Sequence, residues 1–129
     1  MKTMPKKATA ILLVISMVFV CSIAVYAYEV DRTSRATGLY ICTGTLWTIT
    51  SKSMGATTYV STTSSNVSSN TTTIRVRSGG YDPVEVTNGP YASNEVDAIA
   101  SIGGDIGSAT GTHELTLKTG DSFVGDTFY

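Results

Sequence analysis

Thr72-Thr-Ile-Arg-Val-Arg-Ser78 is the stretch on which the fold turns. Ile74 and Val76 sit two positions apart and alternate with Arg75 and Arg77. Successive side chains of a strand point to opposite faces, so this period gives a strand with one dry side and one wet side. A helix would place its apolar residues three and four apart, and no such stripe of useful length follows Ala27. The two arginines share the wet side, where a pair of this kind is an ordinary solvated surface.

Upstream, Ser64 to Asn70 is a polar tract with Val67 as its single apolar member, and it reads as a loop open to solvent. Thr57 to Thr63 reads as a strand around Tyr59 and Val60, and Ser51 to Gly55 as the turn before it. Leu39 to Leu46 and Trp47 to Lys52 are dense in β-branched and aromatic residues, and Gly44 reads as a bulge or bend between two pieces of strand. Trp47, beside Ile49 in the densest apolar region, is expected as the core aromatic. Tyr28 to Thr37 shows no period and reads as an extended lead-in.

Downstream, Gly79-Gly80 breaks the chain, and a short strand at Val84-Glu-Val86 is expected to end in a turn at Asn88-Gly89-Pro90. Val96, Ala98, Ala100 and Ile102 alternate as in a strand, although Val96, Ile99 and Ile102 would also fit one side of a short helix. The all-β setting favours the strand. Gly103 to Gly111 is a glycine-rich connection. Thr112 to Lys118 alternates again, with His113, Leu115 and Leu117 on one side, and Thr119-Gly-Asp121 turns the chain into a last strand from Ser122 to Tyr129. About seven strands with regularly spaced turns predict an all-β fold, a small antiparallel β-sandwich of immunoglobulin-like kind, with a small barrel as the alternative.

The beginning of the chain is of another character. Lys2, Lys6 and Lys7 precede an apolar run from Ala8 to Val25, and Val25-Tyr-Ala27 places small side chains where a signal peptidase accepts them. Residues 1–27 therefore read as a signal-peptide helix cleaved between Ala27 and Tyr28, and 28–129 as one secreted domain. The run falls a little short of the ~20 residues of a membrane anchor, so contact with the membrane is expected only during export. Cys21 goes with the leader, which leaves Cys42 alone and rules out an internal disulfide in the mature chain. Cys42 lies in the apolar run Leu39 to Cys42 and is expected to be buried rather than bridged to a partner.

Beyond Ala27 stand six Lys and Arg against ten Asp and Glu, a net charge of −4. Such a surface repels a polyanion, so nucleic acid is not an expected partner. The 19 threonines and 13 serines of this part suit a pleat whose outer side stays wet without added charge. In outline the chain resembles the short exported proteins of Gram-positive bacteria that join a signal peptide to a Ser/Thr-rich β domain, a likeness of composition that names no family.

No arrangement for chemistry stands out. His113 is the single histidine and has no nucleophile elbow to serve; on the side of Leu115 and Leu117 it is expected at the edge of the core. Zinc needs several His or Cys ligands, and Asp105, Asp121 and Asp126 lie in glycine-rich turns without the spacing of a calcium loop. No catalytic residue, metal ligand or cofactor is therefore assigned. Asn66-Val-Ser68 and Asn70-Thr-Thr72 fit the glycosylation pattern and are expected on the wet loop. Trp47, Tyr40, Tyr59, Tyr81 and Tyr91 would make a platform for sugar rings if they met on one exposed side. The reading as a whole is a secreted or cell-surface, non-catalytic binding module with an extracellular protein or cell-wall glycan as partner. A secreted antagonist of the bacteriocin kind, suggested by size and export, is the alternative.

Overall fold

The computed structural model describes residues 27–129. The signal segment read over 1–27 lies outside the described residues except for Ala27, so the expected cleavage between Ala27 and Tyr28 is not addressed by the fold. Eight strands follow: β1 Tyr28–Thr37, β2 Tyr40–Thr50, β3 Ser53–Val60, β4 Val67–Arg77, β5 Val84–Tyr91, β6 Glu95–Ser101, β7 Ser108–Leu117 and β8 Ser122–Phe128. They form two four-stranded antiparallel sheets, ordered β1-β2-β3-β6 and β5-β4-β7-β8. This is the expected all-β sandwich. The order within its layers is its own: β3 lies beside β6 in one sheet while β4, which follows β3, lies beside β7 in the other. The chain thus crosses between layers after β3, β5 and β6.

Where the period is clean, the expected strands appear. Ile74 and Val76 are fully buried and Arg75 and Arg77 exposed, and Val96, Ala98 and Ala100 point inward from β6 while Glu95, Asp97 and Ile99 point out. The turn at Thr119 to Asp121 joins β7 to β8 as an antiparallel hairpin. Four readings are corrected. The lead-in is β1, an edge strand whose period is scrambled by a register shift between Glu29 and Asp31 and which buries little besides Thr37. Gly44 is no bulge, because β2 pairs in unbroken register on both sides of it. The polar tract is a loop only as far as Asn66; β4 begins at Val67, and Asn70 is fully buried. Asn88-Gly89-Pro90 is not a turn but part of β5, with a register shift opposite Thr71. Gly89 has φ +108° there, and a Cβ on it would stand 2.4 Å from the carbonyl oxygen of Asn70, so only glycine fits.

The space between the sheets holds two apolar clusters. One contains Leu46, Met54, Ala56, Ile74, Val76 and, from β6, Ala98 and Ala100; the other contains Cys42, Val60, Val67, Leu115, Leu117 and Phe123. Replacing a filled position such as Leu46 by Ala would cost ~2–5 kcal/mol. Between the clusters, at the middle of the strands, the inward positions are polar or glycine at Gly44, Thr58, Asn70, Thr72, Gly111, His113 and Thr127, with Val96, the partner of Thr58 on β6, as the apolar exception. The edges are tied across the layers by side chains. Asp31 Oδ2 accepts from the backbone N–H of Phe128 at 2.8 Å, joining β1 to β8. Asn88 Nδ2 donates to the carbonyl of Asp97 at 2.6 Å, joining β5 to β6. Occupied edge groups of this kind, with Pro83 and Pro90 flanking and within β5, discourage pairing with a foreign strand.

Candidate functional site

His113 occupies the middle of the polar layer and has no solvent exposure at all. It is deeper than the core-edge position expected of it. Its Nε2 lies 2.9 Å from Thr127 Oγ1 and its Nδ1 2.8 Å from Thr58 Oγ1. The Thr72 hydroxyl stands 2.6 Å from Thr58 Oγ1 and 2.8 Å from the carbonyl oxygen of Val96, and has one proton to give. A carbonyl can only accept, whereas a hydroxyl can also donate. The arrangement that leaves nothing unpaired therefore runs one way: Thr127 donates to Nε2, Nδ1–H to Thr58, Thr58 to Thr72, and Thr72 to Val96. This chain requires a neutral imidazole. Burial pushes the His113 pKa down to about 4, with the Asp126 carboxylate pulling weakly the other way.

Two glycines make room for the ring. A Cβ on Gly44, in the facing sheet, would stand 2.3 Å from Cδ2 of His113, and one on Gly111 would stand 2.4 Å from Thr127 Oγ1 and 3.1 Å from Nε2. A glycine inside a strand signals either a bulge or the close approach of another group; at position 44 it is the second. Both ring nitrogens are committed to protein hydroxyls, and no substrate can reach either. Chemically the group is a packing element that fixes how the sheets meet.

Cys42 is buried, as expected, and burial pushes its thiol up, against smaller opposing effects of Thr37 and Arg35; such a thiol is unreactive. Among the described residues no three His, Cys, Asp or Glu side chains come together to hold a metal ion. Asp105, Asp121 and Asp126 are exposed. The two candidate glycosylation sites divide: Asn66 is exposed, while Asn70 is sealed in the polar layer, where its Nδ2 donates to the carbonyls of Thr58 and Ser93. A folded chain cannot offer Asn70 to a modifying enzyme. A cleft of about 200 Å³ opens at one end of the sandwich between Thr48, Thr50, Asp105, Ile106 and Tyr129, small beside the ~300–1,000 Å³ of ordinary ligand pockets.

The five aromatic residues do not gather into one platform. Tyr40 packs against the second apolar cluster, Tyr81 lies against Gly103 and Gly104, and Tyr91 belongs to the other sheet. Trp47 and Tyr59 do share a side, the outer side of the first sheet. This corrects the expectation that Trp47 is the core aromatic. The inward positions of β2 are Cys42, Gly44 and Leu46, so 47 falls outside with Thr43 and Thr45, and the register shift between Thr48 and Thr50 breaks the alternation that links it to Ile49. The inward row from Cys42 to Leu46 was the signal that could have placed it.

The indole is held flat. Gly55 on β3 is the register partner of Trp47, and a Cβ there would stand 2.3, 2.5 and 2.6 Å from Cζ2, Cε2 and Cη2. Three neighbouring ring atoms at such similar distances place that point over the ring face, since a point off the rim would lie much farther from two of them. The indole therefore covers Gly55 with one face and turns the other outward. Its Nε1–H donates to Thr57 Oγ1 at 3.0 Å, and the Thr57 hydroxyl donates to Asp97 Oδ1 at 2.6 Å. Around it stand Ile99, 49% exposed and paired with Gly55, and Glu29, which faces Trp47 on β1 and clasps Arg32 through two hydrogen bonds of 2.9 and 2.7 Å.

No protein-family model matches this chain, and no curated protein or solved structure matches it either.

Proposed function

We propose that this chain is an exported, non-catalytic binding module of the cell exterior, and that the outer side of its first sheet holds the partner. The observation that carries the reading is Trp47. The indole is half-buried on the outer side of the sheet, locked by Gly55 beneath and by the hydroxyl of Thr57 beside it. Preorganised aromatic groups with polar neighbours are what binding surfaces are built around. The sealing of His113 supports the non-catalytic half of the reading, because general acid–base work needs a group within reach of the substrate.

The test is retention on Gram-positive cells and purified cell walls. Protein expressed from the full coding chain is expected to bind saturably, and Trp47→Ala to weaken binding about tenfold. A hydrolytic or transfer activity that disappears in His113→Ala, with retention on cells unaffected by Trp47→Ala, would overturn the reading.

A further inference from the structure

The geometry points to an arginine side chain of a partner polypeptide as the group that the Trp47 surface takes. This rests on the reading of the outer side of the first sheet as a binding surface and names the chemistry of its ligand. The outward positions of β1, β2, β3 and β6 carry four charges: Glu29, Arg32, Glu95 and Asp97. Glu29 and Arg32 neutralise one another, with 2.7 Å between Nη2 and Oε2. The charge left over is negative and sits on β6, at Glu95 and Asp97. The surface is complementary to a cation and repels phosphate and carboxylate.

Asp97 and the indole are positioned by one hydroxyl. Thr57 Oγ1 accepts from Trp47 Nε1 and donates to Asp97 Oδ1, so the carboxylate stands beside the outward ring face at a fixed place. Asp97 Oδ2 has no hydrogen-bond partner among the described residues. A cation over an indole is drawn to the negative face of the ring, and Trp is the best such ring. Of the two basic side chains, Arg fits better. Its guanidinium is planar, is weakly hydrated, stacks on an aromatic face and still turns N–H groups sideways to a carboxylate, whereas the Lys ammonium is a compact and strongly hydrated point charge. Ile99, beside the ring, gives the methylene stem of an arginine an apolar surface to lie on.

Trp47 is the only tryptophan in the chain, so its emission reports the site directly. The protein is titrated with acetyl-Gly-Arg-Gly-Arg-Gly-amide, with the same peptide carrying citrulline in place of arginine, and with chitotetraose. A saturable change of emission is expected with the arginine peptide, about tenfold weaker with the citrulline peptide and about tenfold weaker in Asp97→Asn. Asn keeps an oxygen for Thr57, so that variant folds. Calorimetric titration of wild type and Asp97→Asn checks the same affinities without the fluorophore. Equal response to the arginine and citrulline peptides, no loss in Asp97→Asn, or no saturable response overturns the inference. A response to chitotetraose alone also overturns it and leaves the binding module standing with a sugar as ligand. The binding reading itself is removed only by the separate outcome of a His113-dependent activity together with cell-wall retention that ignores Trp47→Ala.

Discussion

Two rings in this protein are each received by a glycine, and they lie on opposite sides of the same pair of strands. His113 presses inward on Gly44 of β2, and Trp47, also on β2, lies outward across Gly55 of β3. The device is the same and its consequences differ. Inside, the ring comes from the other sheet and both its nitrogens are bonded, so it has nowhere to go. Outside, the ring comes from the neighbouring strand and has solvent on its free face. Close approach over a glycine therefore fixes the distance between sheets in one case and only the pose of a surface ring in the other.

A methyl group placed on each glycine separates the two sites most clearly. Gly44→Ala is expected to cost about 3 kcal/mol, because the ring cannot retreat without parting the layers or losing its hydrogen bonds; urea unfolding measures it. Acidification probes the same site. The folded-state pKa of His113 lies near 4 and its ordinary value is 6.5, so below pH 6.5 the unfolded chain binds a proton that the folded chain refuses. The contribution of His113 is fully present above pH 6.5 and falls away as the pH drops toward 4, a loss of about 3 kcal/mol. As the chain has one histidine, the imidazole Cε1–H proton resonance gives its pKa directly, and a midpoint near 6.5 would show that the ring is not sealed.

Thr127→Val keeps the shape but removes the donor to Nε2, and about 1–2 kcal/mol should be lost, read from the same urea curves. The smallest effect belongs outside. Gly55→Ala is expected to change stability by less than about 1 kcal/mol, because the indole can swing into solvent, while the Trp47 emission shifts to longer wavelength. If Gly55→Ala proved as damaging as Gly44→Ala, the two sites would not differ in the way described.

The residues whose surroundings were legible are those in which a local period speaks for itself. Ile74 and Val76 declare the inner side of β4, Leu115 and Leu117 that of β7, and the Asp121 turn declares the hairpin to β8. The lead-in was not legible as β1, because a register shift erases the period of an edge strand that buries one residue well. Asn70 looked like part of a wet loop since Ser and Thr flank it on both sides, yet its amide donates to two carbonyls, those of Thr58 and Ser93. Trp47 was assigned to the interior by the company it keeps in sequence, and the bulge after Thr48 makes that company misleading. Of the candidate site, the sequence offered Trp47 and Tyr59 among five aromatic residues but neither Thr57 nor Asp97, which only the hydrogen bonds across β2, β3 and β6 bring to the indole.

Alternation, turn residues and charge are properties of neighbours along the chain, and from them the all-β class and the polar, weakly charged character of its surface follow directly. Which sheet each strand joins, that His113 enters the slot at Gly44, and that Trp47, Thr57 and Asp97 are linked by hydrogen bonds emerge only when the strands pair and the sheets pack. Those facts join residues far apart in the chain, and the energy that selects them comes from packing and hydrogen bonding between strands, which no local pattern encodes.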